Sequence, residues 1–110
     1  MFRGEVWDVQ FPPPIGNRPC LILTTNALIP RLGAITVAEI TGTPGPPPTH
    51  IPVDPDVGLT GREESWINVT GLHTIPKGRL RRLRGRLQPV QMRRVEIAMC
   101  DYLGINTLEL

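Results

Sequence analysis

The chain has 110 residues, of which 40% are apolar, 13 are proline and 11 are glycine. This length fits one compact domain, so we expect a single domain over residues 1–110. Only two cysteines are present, each inside an apolar stretch, so we expect buried free thiols, and no stretch approaches the ~18 apolar residues of a membrane span.

The net charge of +2 hides an uneven distribution. Residues 1–76 contain four basic and seven acidic side chains, whereas residues 77–110 contain eight basic and three acidic ones. A basic half predicts a surface for nucleic acid or for an acidic partner. The N-terminal residues lack the long apolar run of a secretion signal, so we expect a cytoplasmic protein with reduced thiols.

The first half of the chain predicts three strands. Residues 4–11 alternate between polar and apolar side chains, and residues 12–19 then contain four prolines, which predicts a stiff, exposed loop that Arg18 closes. The apolar run 20–25 predicts a central strand covered on both faces. After a turn, a third strand is predicted over residues 34–41.

A mobile surface loop is predicted over residues 42–49, which contain four prolines and two glycines. The composition that follows predicts a polar connection over 54–64, with a capping turn from Thr60 to Glu63. Short strand-like pieces are predicted over residues 50–53, 65–69, 72–75 and 80–87.

The last part of the chain predicts an arginine-rich strand and a helix. In residues 80–87, apolar positions alternate with Arg82, Arg84 and Arg86, so one face should be apolar and the other all arginine. The helix should begin near Gln88, with Pro89 in its first turn, and end at Gly104. Its apolar residues recur at spacings of three and four, namely Met92, Val95, Met99 and Tyr102 or Leu103.

Several short strands followed by one helix predict a mainly β protein, built as a small, strongly curved sheet or barrel with the helix against it. The sequence contains no Cys or His pair at metal-ligand spacing and no glycine-rich phosphate loop. We therefore expect neither a metal nor a cofactor.

Six segments resemble, in order, those of the MazF/PemK (Kid) toxins of type II toxin-antitoxin systems. Each segment is short, but their ordered combination is specific and spans nearly the whole chain. The segments are RGEVW at 3–7, GNRPCLIL at 16–23, VAEIT at 37–41, PTHIPV at 48–53, SWINVT at 65–70 and HTIPKGRL at 73–80.

The resemblance implies an endoribonuclease that cuts single-stranded RNA at short sequence motifs without a metal. It implies an SH3-like barrel of the MazF/PemK/CcdB type with added helices, assembled as a homodimer. It also implies a cognate antitoxin whose acidic, disordered segment covers the RNA groove. That partner would suit the basic half of the chain.

The resemblance places catalysis at Arg18 and Thr41. From the residues alone, Arg18 can offer a planar guanidinium to phosphate oxygens, and Thr41 ends the third predicted strand beside the proline-rich loop. The candidate RNA contacts are Gly16, Asn17, Thr43, Thr49, His50 and His73. We expect the arginine-rich strand to face the antitoxin or the dimer partner.

The chain departs from the family pattern in two places. Residues 12–17 form a short loop without an acidic residue, and residues 70–74 read Thr-Gly-Leu-His-Thr where much of the family shows Glu-Gln-Ile-Arg-Thr. The second change removes a carboxylate, an amide and an arginine. His73 and His50 are candidates for the missing acid or base, although a histidine in a strand of this pattern is more often a surface or hydrogen-bonded structural residue.

Two other functions are compatible with the same fold. One is a CcdB-like poison of DNA gyrase, and the other is a catalytically inactive module that binds nucleic acid or antitoxin. An arginine beside a strand-end hydroxyl favours the nuclease, because a protein-binding poison has no need for a phosphate-binding guanidinium there.

Overall fold

The computed structural model describes residues 1–54, 57 and 64–106, which form one antiparallel sheet and a C-terminal helix. The mainly β architecture with a terminal helix is therefore confirmed. The predicted turn at Thr60–Glu63 lies outside the described residues. The elements are β1 Glu5–Gln10, β2 Asn17–Ile22, β3 Ala34–Thr41, β4 His50–Pro52, β5 Trp66–Pro76, β6 Leu80–Arg86 and α1 Pro89–Leu103.

The six strands lie in the order β4-β5-β3-β2-β1-β6, and every neighbouring pair is antiparallel. Strands β4 and β6 are the two edges, so the sheet is open in the part of the chain that the structure describes. The sheet is nevertheless strongly curved. Phe11, which follows β1, contacts His73 of β5 although β2 and β3 lie between these strands, and their ring centroids are 4.9 Å apart.

Both faces of the sheet are buried along its centre. Leu21 and Ala38 belong to a cluster that includes Val95 of α1, whereas Ile22 and Val37 belong to a second cluster without the helix. Because side chains alternate along a strand, consecutive residues of β2 serve opposite cores. The prediction of a doubly covered strand is confirmed, although β2 starts earlier than predicted, at Asn17.

Arg18 therefore lies inside a strand rather than closing a loop. Strands β1 and β2 are joined by a tight hairpin in which the Phe11 amide donates to the Gly16 carbonyl at 3.0 Å. Gly16 has a φ of +71°, a conformation that glycine adopts without strain. Pro19 is tolerated within β2 because pairing with β3 begins only at Cys20.

Strand β5 joins two pieces that the sequence predicts separately. Leu72 pairs with Ala38 and Asn68 pairs with Glu39, so residues 69–71 are extra residues of β5 at a bulge. Such a bulge interrupts the alternation of side chains, which is why the sequence pattern breaks at Gly71.

The prediction of one apolar and one all-arginine face for β6 is wrong. Two register irregularities against β1 shift the strand, and Leu83 is 47% exposed. Arg84 donates to Asp8 at 3.0 Å, and Arg86 lies 3.3 Å from a Glu5 carboxylate oxygen. The arginines are thus divided between ion pairs and solvent.

Helix α1 begins and ends where the sequence predicts. Gln88 precedes it, and Gly104 ends it in the left-handed conformation, with the Ile105 amide donating to the Cys100 carbonyl at 2.9 Å. Gln91, which the sequence pattern does not single out, is buried. Its Oε1 accepts a hydrogen bond from the backbone N–H of Asp54 at 3.1 Å, and its Nε2 donates one to the Pro52 carbonyl. These bonds connect α1 to the end of β4. No helix in the described residues has the length and apolar character to cross a membrane.

Cys20 lies at the centre of the second cluster and is fully buried. Burial, together with the nearby Glu39 and Asp8 carboxylates, raises the pKa of its thiol from 9.0 to about 12. The thiol donates weakly to the Arg18 carbonyl at 3.7 Å. Cys20 is therefore a neutral side chain beneath the candidate site.

The pKa of Cys20 predicts a loss of stability in alkaline solution. The unfolded chain releases this proton above about pH 9, whereas the folded chain keeps it to about pH 12, so the unfolded state binds fewer protons between these values. The free energy of unfolding should then fall by up to about 1.4 kcal/mol per pH unit from this group. Urea denaturation at several pH values should show a shallower fall in Cys20→Ala.

Ile22→Val is the matched control, because it removes a methyl group from the same cluster without removing a titrating group. It should lower the free energy of unfolding by a constant amount and keep the wild-type slope. Parallel slopes for wild type and Cys20→Ala would contradict the expectation.

Candidate active site

One face of the sheet carries a row of polar side chains from the edge to the centre. Directly paired residues of antiparallel strands project from the same face. The pairs His50–Asn68, Asn68–Glu39 and Glu39–Cys20 thus place these four residues on one face, in adjacent positions of β4, β5, β3 and β2. We call this the site face.

Arg18 and Thr41 extend the site face at the point where β2 and β3 stop pairing. The last pair is Cys20–Glu39; Arg18 lies two residues before Cys20, and Thr41 lies two residues after Glu39. Continuing the same register places Arg18 and Thr41 opposite each other. The register therefore assigns the two residues that the family resemblance selects to the same end of the site face.

The Arg18 side chain is exposed, and its guanidinium has no hydrogen-bond or ion-pair partner within residues 1–54, 57 and 64–106. Its backbone is held by pairing with Val9 of β1. A fixed backbone with an unpaired, planar cation suits bidentate contact with phosphate oxygens.

Thr41 is half-buried at the end of β3 and pairs with Trp66 of β5. Its hydroxyl oxygen accepts a hydrogen bond from the Thr43 amide at 3.1 Å. The hydroxyl hydrogen is left for a second acceptor, such as a phosphate or sugar oxygen.

His73 lies on the site face beside Glu39. Its Nε2 is 2.8 Å from the Glu39 Oε2, and the edge of the Phe11 ring packs against the imidazole. Each of the two side chains is about one-third exposed. Glu39 lies two residues before Thr41, whereas His73 pairs with Val37, four residues before Thr41. The arrangement supplies a carboxylate and an imidazole on the same face as Arg18 and Thr41.

Glu39 is the site residue that the sequence reasoning missed as a functional group. Its signal was present, since it shares the alternation of Ile35 and Val37, which are buried in the second cluster. A carboxylate on an otherwise apolar strand face calls for a polar partner. That partner, His73, is 34 residues away in sequence, and only the register of β3 with β5 reveals it.

His50 is held at the end of the proline-rich loop. Its Nδ1 is 2.9 Å from the Thr49 hydroxyl, and its amide donates to the Pro46 carbonyl at 3.0 Å. A Cβ on Gly45 would overlap the imidazole, so the loop packs closely on the ring. The end of this loop is thus anchored, whereas the mobility of the rest stays a prediction.

The remaining predicted RNA contacts surround this face without all pointing to it. Gly16 and Asn17 lie at the β1–β2 hairpin, next to Arg18, but strand alternation directs Asn17 to the opposite face. Thr43 is exposed just after β3, and Thr49 contacts His50. The structure therefore gathers Arg18, Thr41, His50 and His73 on one face and leaves Asn17 off it.

No group of three or more His, Cys, Asp or Glu side chains in the described ranges is arranged to hold a metal ion. The charged groups of the site face are Arg18 and the Glu39–His73 pair. Cys20 between them stays neutral because burial raises its pKa to about 12.

Comparison with known proteins gives consistent matches over nearly the whole chain. A family model for the PemK-like, MazF-like toxin of type II toxin-antitoxin systems matches residues 2–103. The probable endoribonuclease MazF2 of Mycobacterium tuberculosis is 31% identical over 97 residues, which cover 84% of this chain and 87% of that protein.

Solved structures agree with this match. The Mycobacterium tuberculosis toxin MazF-mt6 is 29% identical with a TM-score of 0.82, over 93% of this chain and 98% of that one. A mycobacterial endoribonuclease in complex with its cognate antitoxin has the same fold, with a TM-score of 0.85 at 24% identity over 96% and 97% of the two chains. Since the family model covers residues 2–103, the chain belongs to the PemK-like, MazF-like toxins of type II toxin-antitoxin systems.

Proposed function

We propose that this chain is a toxin that cleaves single-stranded RNA as an endoribonuclease, through attack of a 2′-hydroxyl on the adjacent phosphorus. The observation that supports the proposal is the register of β2 and β3, because its continuation beyond the last pair, Cys20–Glu39, assigns Arg18 and Thr41 to facing positions on the site face. The curated relatives, which are named endoribonucleases, support the reaction class.

The reaction needs positive charge at the phosphate. As the 2′-oxygen bonds to phosphorus and the 5′-oxygen departs, the non-bridging oxygens gain negative charge in the transition state. Arg18 supplies a fixed cation with two parallel N–H groups for these oxygens. We propose that this charge stabilisation requires no metal ion.

Thr41 has a positioning task in this scheme. Its hydroxyl oxygen already accepts from the Thr43 amide, so its hydrogen is left to donate to the substrate. Donation to a phosphate oxygen would hold phosphorus in line with the attacking hydroxyl. Alignment of this kind contributes to catalysis because the reactants no longer have to find the geometry by chance.

The RNA chain would cross the site face between the β1–β2 hairpin and the proline-rich loop. Gly16 lies on the hairpin side, whereas Thr43, Thr49 and His50 lie on the loop side. Contacts from both sides would hold the RNA strand in place relative to Arg18. Asn17 is proposed as a contact from its backbone, because its side chain points away.

An acidic antitoxin segment is the second partner that we propose. Arg79 and Arg82 are exposed, and neither has an ion-pair partner among the described residues, in contrast to Arg84 and Arg86. An acidic segment would gain from neutralising them. The antitoxin complexes among structures of this fold support the pairing.

A second copy of the chain is proposed as a further partner. Helix α1 exposes Val90, Ile97 and Leu103, which are 68%, 51% and 49% accessible. Exposed apolar side chains on one element are common at interfaces between copies. We propose a homodimer that acts on RNA in the cytoplasm, with residues 1–110 as one domain.

Arg18→Ala is expected to reduce RNA cleavage by at least ~100-fold, because it removes the charge that stabilises the transition state. The measurement is the rate of cutting of a long single-stranded RNA in excess EDTA, with cut sites mapped by primer extension. Arg31→Ala is the matched control, since Arg31 is an exposed arginine in the turn between β2 and β3, away from the site face.

Discrete cuts in EDTA that persist in Arg31→Ala and disappear in Arg18→Ala would support the proposal. Intact RNA with the wild-type protein would overturn the nuclease assignment, and binding without cutting would point to an inactive module. Full cleavage by Arg18→Ala would overturn the role of Arg18 alone.

Thr41→Val keeps the shape of the side chain and removes the hydroxyl. The loss of one hydrogen bond to a charged group should slow cleavage by roughly ten- to a hundredfold. Thr36→Val on the same strand is the control, because Thr36 faces the other side and bonds to Thr74 at 3.0 Å. Equal rates for the two variants would show that the Thr41 hydroxyl takes no part.

A further inference from the structure

The orientation of the His73 ring determines which of its nitrogens is available to a substrate. Nε2 lies 2.8 Å from Oε2 of Glu39, and a carboxylate oxygen can only accept, so Nε2 carries the hydrogen of this bond. Nδ1 has no partner in the part of the chain that the structure describes. Proton exchange with a bound molecule must therefore occur at Nδ1.

The backbone around this pair is shaped to make room for it. Because of the bulge in β5, Leu72 and Asn68 pair with two consecutive residues of β3, Ala38 and Glu39. This pairing brings His73 next to Glu39. A Cβ at Gly71 would lie 3.0 Å from Oε2 and 3.3 Å from Cβ of Glu39. Glycine at this position leaves the space that the carboxylate occupies.

A role in stability alone does not account for the pair. Both side chains are about one-third exposed, and ion pairs of that exposure contribute little to folding. The Phe11 ring packs against the imidazole in a T-shaped contact, and this contact and the bond to Glu39 together limit the orientations of the imidazole. An oriented imidazole with one free nitrogen, on the same face as Arg18 and Thr41, has the features of a proton donor.

We propose that Glu39 is a positioning residue that holds the His73 imidazolium, so that Nδ1–H of His73 protonates the leaving 5′-oxygen. This inference rests on the proposed ribonuclease function and adds its general acid. The 2′-oxygen forms a bond to phosphorus while the P–O5′ bond breaks. The 5′-oxygen takes the proton from Nδ1, and the 2′-hydroxyl proton passes to water.

Glu39 also determines the form in which His73 ends the step. After the transfer, Nε2 keeps its hydrogen and its hydrogen bond to the Glu39 carboxylate. The neutral imidazole then has a free Nδ1, which can take a proton from water. The same bond therefore serves before and after the reaction.

The other groups near the pair leave this task to His73. Cys20 is buried and neutral, Arg18 keeps its protons, and Asn68 does not titrate. His50 lies on the far side of Asn68, with its Nδ1 bonded to Thr49. His73 is thus the imidazole that Glu39 can orient.

The test compares two RNA oligonucleotides that span a mapped cut site. One is ordinary RNA, and the other carries sulfur in place of the bridging 5′-oxygen at the cut. A thiolate leaves without being protonated, because a thiol is far more acidic than an alcohol. A variant that lacks only the general acid should therefore fail on the first oligonucleotide and succeed on the second.

With ordinary RNA, His73→Gln should cleave about a hundredfold more slowly than wild type, and Glu39→Gln about tenfold more slowly. Gly71→Ala, which pushes the carboxylate, should resemble Glu39→Gln. With the sulfur-containing oligonucleotide, all three should come within about threefold of wild type. Recovery on this substrate also shows that the variants are folded.

Two control variants should behave the same way on both oligonucleotides. Thr74→Val, next to His73 but on the opposite face, should match wild type on both oligonucleotides. Arg18→Ala should fail on both, because the phosphate still gains charge when sulfur leaves.

Each remaining outcome overturns a defined part of the scheme. If His73→Gln is equally slow on both oligonucleotides, or is never slow, His73 is not the general acid. If Glu39→Gln matches wild type on ordinary RNA, Glu39 does not position His73. If wild type cuts neither oligonucleotide, the ribonuclease function itself fails, and the acid assigned to it fails with it.

Discussion

The point at which β2 and β3 stop pairing determines the geometry of the whole site. Their ladder ends at Cys20 and Glu39, directly after Pro19, which has no N–H to continue a ladder. Beyond that pair β2 and β3 no longer pair with each other, although Arg18 still pairs with Val9 of β1 and Thr41 with Trp66 of β5. Arg18 and Thr41 flank this opening between β2 and β3. In the proposed reaction the phosphate contacts both residues there.

The buried centre of the sheet holds this opening in a defined geometry. Cys20 anchors β2 below Arg18 and sits in an apolar cluster with Ile22 and Val37, while the opposite face packs against α1. Because burial raises the pKa of the thiol to about 12, Cys20 itself adds no negative charge beside the guanidinium at neutral pH. The core thus provides a rigid base for the site.

The parts of the fold that depend on local sequence were predictable, and those that depend on register were not. Pro89 and Gly104 delimit α1 through their own backbone preferences, and alternation locates the strands. The pairing of Arg84 with Asp8 depends on bulges between β1 and β6, and that of Glu39 with His73 on the bulge in β5. A bulge changes which side chains are neighbours without leaving a clear composition signal. The sequence therefore indicated Arg18 and Thr41, which sit in recognisable motifs, and passed over Glu39.

Strand register also affects how the difference between residues 70–74 and the family pattern is interpreted. Compared position by position, this segment has lost the carboxylate that much of the family carries there, which suggests weakened chemistry. In three dimensions, the bulge in β5 and the small Gly71 admit a carboxylate from the neighbouring strand, so Glu39 of β3 occupies the space beside His73. Acid–base chemistry depends on which atoms are adjacent and not on which strand supplies them. In the proposed scheme, the carboxylate that residues 70–74 lack is therefore supplied by Glu39 of the neighbouring strand.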